Sequence, residues 1–260
     1  MITQKSPWLI DTWSDADAAC ASLRKHTLLA LDMEGSPLAT RTELLQLAVS
    51  SAEIYVFDVR ALGQRLFADD AYLQPILANP SIIKLCYDCR ADGGALLRQH
   101  GVCARGLYDL QIAYASLRAH APKQLGLPLP HRVERFLKGL QCAVGHLLAP
   151  DDALAFRQRK QAWKLEWSTQ HMQTLAHRPL PEGVLEYAAA DVEHLFAMYE
   201  RWSPFFAASV VKHASETRML SQLMIVSEEE DMARIDFPLL LPRQLLFHHN
   251  NIHGGPQTII

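Results

Sequence analysis

A chain of 260 residues, 49% hydrophobic and 20% charged, has the composition of a globular protein with a sizeable core, not that of a fibre or a disordered chain. Its formal net charge of −3 gives no global attraction to nucleic acid, so any such surface must come from local asymmetry. No run approaches the roughly 20 apolar residues of a membrane span, and the start, MITQKSPWLIDTW, lacks a basic region followed by an apolar stretch and a small-residue cleavage site; a cytosolic protein is expected.

The run TLLALD (27–32) is β-type, and LLQLAVS (44–50) and EIYVFDV (53–59) follow at hairpin spacing, so three strands open the fold. GQRLFADDAYLQPILANP reads as helix ended by Asn79-Pro80, SIIKLCY as a fourth strand, and ADGGALLRQHG as a helix closed by Gly101. LYDLQIAYASLRAH is predicted helical, while APKQLGLPLPHR, with three prolines, is a loop or irregular connection. From Val133 to about Trp202 the pattern is mostly helical, with a break at Arg178-Pro179-Leu180-Pro181. A further helix reaches Met224, after which SEEED (227–231) and a tail with His248, His249 and His253 change the composition sharply. The histidines are assigned no role. The five cysteines do not form a disulfide framework, and Cys86-x-x-Cys89 lacks a second close pair, so packing thiols are the simpler reading.

Three places could carry chemistry. Asp32 and Glu34 end an apolar strand, and side chains two residues apart share a strand face. Taken alone, the pair reads more simply as a strand with a polar end. Asp88 and Asp92 lie where the fourth strand gives way to a helix, and either suits a capping role; spacing does not choose between them. In VLEYAAADVEHLF, Tyr187 and Asp191 are one helical turn apart, about 40° around the axis, and Ala188, Ala189 and Ala190 would let that helix lie close to a sheet. A core tyrosine with a satisfied hydroxyl is the bland alternative.

Asp32-x-Glu34, Asp92 and Tyr187-x-x-x-Asp191, in that order on strand, helix and helix, resemble the three exonuclease motifs of the DEDD superfamily in its tyrosine-containing branch, which includes ribonuclease D. TELLQLAVSSAEIYVFDV, GLYDLQIA and HRPLPEGVLEYAAADVEHL look like ribonuclease D-type text, and the likeness covers about residues 25–203. The middle block, YDCRADGGALLRQHGV, is more similar to Egalitarian-like exonuclease-domain proteins, with Tyr87 where a histidine is frequent and Gly93-Gly94 where bulkier residues are usual.

The resemblance implies an α/β, ribonuclease H-like fold with a mixed central sheet flanked by helices. It implies an exonuclease domain over residues 1–203 and a C-terminal helix and tail over 204–260. It also implies two Mg²⁺ or Mn²⁺ ions held by Asp32, Glu34, Asp92 and Asp191, because two like charges about 4 Å apart at an effective dielectric near 20 cost about 4 kcal/mol unless a cation relieves them. Tyr187 would orient the attacking water, and the reaction would be 3′-5′ hydrolysis of single-stranded nucleic acid, RNA before DNA. The alternative is an RNA-binding adaptor on the same fold. Between Arg118 and Arg178 lie ten Lys or Arg against four Asp or Glu. Arg157, Arg159, Lys160, Lys164 and Arg178 are the expected strand contacts, with Trp163 and Trp167 either stacking or in the core. The tail is a candidate assembly element.

Overall fold

A computed structural model of the protein describes residues 7–36, 41–68, 70–127, 137–167 and 175–225. The tail beyond 225 and the side chains of Lys164 and Trp167 lie outside the described residues, so the assembly expectation and those two contacts have no structural account.

Strand β1 (Pro7–Ile10) leads into α1 (Trp13–Leu23), whose start is capped by Thr12 accepting the Asp15 N–H at 3.2 Å. Three long strands follow, β2 (Leu28–Ser36), β3 (Arg41–Ser50) and β4 (Glu53–Asp58). Three one-turn helices come next, α2 (Val59–Leu62), then α3 (Arg65–Ala68) and α4 (Gln74–Leu77), the last two in place of the single helix expected over 63–80. Gly63, at φ 69°, ends the first of them, and Pro75 sits at the start of the third. Then come β5 (Ile83–Cys86), α5 (Cys89–His100), β6 (Leu107–Asp109) and α6 (Leu110–His120). The C-terminal half adds α7 (Leu140–Gly145), α8 (Pro150–Trp167), α9 (Val184–Ala190), α10 (Leu195–Trp202) and α11 (Ala208–Ile225).

The sheet order is β1-β4-β3-β2-β5-β6. β2, β3 and β4 form an antiparallel meander, while β1 joins β4 and β5 and β6 join β2 in parallel. Alternation along the strands divides the core in two. Ala30, Leu44, Ala48, Val56 and Leu85 face α6, α9 and α10, whereas Leu29, Leu31, Leu45, Leu47 and Phe57 face α1, α5 and the one-turn helices. A sheet covered on both faces explains why β3 reads as a continuous apolar run.

Sequence patterning missed two strands for identifiable reasons. β1 is a four-residue edge strand beginning with proline, and β6 is three residues that run straight into α6, with Asp109 as its N-cap accepting the Gln111 N–H at 2.9 Å. α11 lies against α5, β6 and α6, and its Ser215 hydroxyl accepts the Asp109 N–H at 2.9 Å while its Arg218 reaches the Asp109 carboxylate at 2.5 Å. None of the described helices is long and apolar enough to cross a membrane.

Candidate active site

β2 lies inside the sheet, and its C-terminal end delivers Asp32 and Glu34 to the face covered by α9. Gly35 follows because β3 comes close there: a Cβ on it would meet the Arg41 carbonyl oxygen at 2.7 Å. α9 ends at Asp191, where the amides of Asp191 and Val192 bond three residues back, to Ala188 and Ala189. The expected continuous helix is therefore split by a tight turn at 191–194 before α10, since i→i−3 bonding ends the α-helical ladder. The buried alanines of α9 permit its close approach to the sheet.

This geometry gathers three carboxylates. Asp32, Glu34 and Asp191 each offer an oxygen, and the three ligand atoms lie within 4.8 Å of one another. Burial pushes the Asp32 carboxyl well above the usual carboxylate range, helped by the charges of Asp92, Asp191 and Glu34 and opposed by Lys160. Asp92, in the first turn of α5 and 9% exposed, stands beside this group without belonging to it. Its carboxyl is also pushed up, first by burial, then by the charges of Asp88, Glu34, Asp109 and Asp191.

Asp88 and Asp92, where β5 gives way to α5, differ in conformation and partners. Asp88 is the N-cap residue, left-handed at φ 68°, and its carboxylate turns to Arg90 at 2.6 Å and Arg218 at 3.4 Å. Those partners outweigh burial and lower its pKa. Asp92 is thereby left as the carboxylate that faces the cluster.

Tyr187, 9% exposed, lies one turn before Asp191 with Trp163 edge-on to its ring at 5.6 Å. Burial, then the charges of Glu34, Asp191 and Asp32, raise its pKa, so the phenol stays protonated. Trp163 is partly buried and packs against the core beside the tyrosine.

The residues expected along a nucleic-acid path divide. Arg157 and Arg159 are exposed on α8, the latter bonding Glu193 at 2.9 Å. Lys160 turns inward: its ammonium is 2.5 Å from Asp191 and 3.7 Å from the Tyr187 ring centroid. Arg178 clamps Asp58 through the Nε–Nη2 edge of its guanidinium, bonds the Leu175 and His177 carbonyls through Nη1 at 2.6 and 2.7 Å, and lies near Glu43. Arg178 thereby ties the 178–181 break to the end of β4, where Asp58 and Glu43 are buried carboxylates.

Other residues near the site escaped the sequence reading. Gln46, the cross-strand partner of Asp32, is fully buried, and neither amide atom has a hydrogen-bond partner among the described residues. Arg218 joins Asp109, Gln111 and Asp88 behind the start of α5. No spacing rule links Arg218 to Asp109 or Lys160 to Asp191, since each pair meets only through the tertiary fold.

A 3′-5′ exonuclease family description matches residues 8–204. The chain belongs to that 3′-5′ exonuclease family. Ribonuclease D of Granulibacter bethesdensis is 30% identical over 198 residues, 75% of this chain and 42% of that protein. The piRNA biogenesis protein EXD1 of Mus musculus is 27% identical over 186 residues, 70% of this chain and 30% of that protein. The chain thus spans well under half the length of the curated relatives it matches. Among solved structures, Trypanosoma brucei RNase D in its GMP complex superimposes with a TM-score of 0.69 at 24% identity, covering 85% of this chain and 65% of that one. The same enzyme with RNA U12 gives 0.65 at 25% identity, covering 92% and 77%. The mixed α/β exonuclease fold expected from the motifs is the one these structures share.

Proposed function

We propose that the protein is a metal-dependent 3′-5′ exonuclease that hydrolyses phosphodiester bonds at the end of a single strand, RNA in preference to DNA. The observation carrying this reading is the meeting of Asp32, Glu34 and Asp191, with ligand atoms within 4.8 Å of one another beside Tyr187. Oxygen-only donors fit hard ions, Mg²⁺ or Mn²⁺, better than zinc. Asp32, Glu34, Asp191 and Asp92 would hold two such ions, which would supply an activated water and charge stabilisation on the departing 3′ oxygen. Tyr187, kept protonated, hydrogen-bonds and aims the water rather than removing its proton. Exposed Arg157 and Arg159 on α8 offer cations to the incoming backbone. The preference for RNA is supported by the ribonuclease D relatives and by the RNA complex of the Trypanosoma enzyme.

The test is a time course on matched 5′-labelled single-stranded RNA and DNA in Mg²⁺, Mn²⁺ or chelator. Stepwise shortening from the 3′ end is expected with either ion, and Asp32→Ala or Asp191→Ala should lower it by at least about a thousandfold, the scale of losing transition-state charge stabilisation. Undiminished shortening in either variant defeats the reading. A second reading, an RNA-binding adaptor on the same fold, draws on the similarity to EXD1. Oligonucleotide binding without cleavage in both ions would establish it instead.

A further inference from the structure

Among the described cations of α8, Lys160 is the one that does not face solvent. Its side chain is 5% exposed, its Nζ lies 2.5 Å from Asp191 Oδ2, 3.5 Å from the Tyr187 carbonyl oxygen and 3.7 Å from the centre of the Tyr187 ring. All three contacts are to the turn that carries the tyrosine and the aspartate. Arg159, its neighbour in sequence, points outward to Glu193 instead. An ammonium waiting for a phosphate would keep its head in water, whereas this one is desolvated against a carboxylate and an aromatic face, a combination that holds a lysine strongly.

The geometry points to Lys160 as a built-in cation of the carboxylate cluster, which holds Asp191 until a divalent ion displaces it and so weakens the affinity of the site for that ion. The inference rests on the metal-dependent reading above and extends it to a positioning residue. Asp191 cannot keep the ammonium at 2.5 Å and give the same oxygen to a divalent ion, because the two cations would repel at contact distance. Ion binding therefore includes the withdrawal of Lys160, whose four-carbon stem gives the ammonium room to move. The Tyr187 ring, which the ammonium now covers, is uncovered in the same step. The site is held together when empty and admits the ion and frees the tyrosine together.

The experiment measures Mn²⁺ binding by calorimetry to the full chain, to Lys160→Met and Lys160→Arg, and to Asp191→Asn as ligand control. It also follows acylation of Lys160 by an amine-reactive ester, read by mass spectrometry, in chelator and in saturating Mn²⁺. Expected are Mn²⁺ affinity at least about tenfold tighter in Lys160→Met, near-unchanged affinity in the charge-keeping Lys160→Arg, and lower thermal stability of Lys160→Met in chelator. In the unmutated chain, acylation at Lys160 should rise several-fold on adding Mn²⁺, a readout that does not depend on any variant folding. Equal or weaker Mn²⁺ affinity in Lys160→Met, or identical acylation with and without Mn²⁺, overturns the inference alone. Failure of the unmutated chain to bind Mn²⁺ overturns it together with the metal-dependent reading, as does undiminished binding by Asp191→Asn.

Discussion

Two residues show how burial decides the state of a titrating group. In the proposed mechanism Tyr187 stays protonated to aim a water, and burial, with the charges of Glu34, Asp191 and Asp32, keeps it so. Lys84, by contrast, is fully buried on β5 with its Nζ donating to the carbonyls of Ile76 and Asn79 at 3.3 and 2.7 Å, and burial lowers its pKa from 10.5 to about 7. Between those two values the unfolded chain holds the proton and the folded chain does not, so stability rises with pH. The slope contributed is up to about 1.4 kcal/mol per pH unit. Urea unfolding followed from pH 7.5 to 9.5 should show this rise in the unmutated protein, and Lys84→Met should flatten it whatever its effect on absolute stability. Strand and helix periods put Asp32 with Glu34 and Tyr187 with Asp191 on one face each, but it is the resemblance of the ordered motifs to an exonuclease family that singles these residues out in the sequence. Lys160 reads there as one of the cations meeting a nucleic-acid strand, since nothing local signals that a lysine turns inward to Asp191.

At the scale of elements, the pairing of α5 with α11 gives a reason for Gly93. A Cβ on Gly93 would meet the Met219 Sδ at 2.3 Å and its Cγ at 2.6 Å, and Met219 is itself 1% exposed. The bulkier residue usual at this place in similar proteins is excluded by a helix from the far end of the chain. Gly93→Val should cost about 1–3 kcal/mol, the range for overfilling a close-fitted interior, and Met219→Ala added to it should recover part of that loss. Additive costs in a double-mutant cycle by urea unfolding would show that the two residues are not in contact. Most helices in this region were readable from apolar periodicity and from Gly101 as terminator, whereas their partners were not. Short elements were the other blind spot, because β6 has too few residues to display a period of two before α6 begins.

Taken whole, the molecule is a sheet with its carboxylates at the end of an inner strand and helices sealing both faces. α11 belongs to that seal. It places Met219 in one half of the core and Val211 in the other, and it buries Arg218 against Asp109, Asp88 and Gln111. A chain ending at Phe206 would leave buried Asp109 without its guanidinium, a loss of the order of 3–5 kcal/mol before any apolar contact is counted. Such a chain should show little cooperative unfolding by circular dichroism and rapid amide exchange in β6 and α5, even though it contains nearly the entire region that resembles ribonuclease D. Native-like cooperativity in the shortened chain would refute this account of α11.

The 109 residues that separate Arg218 from Asp109 also set an order of events during synthesis. Every proposed metal ligand, from Asp32 to Asp191, emerges from the ribosome before the guanidinium that steadies the start of α5. A nascent chain stalled short of that arginine carries all the acidic groups yet lacks the brace behind one of them, so competence for chemistry arrives late in translation.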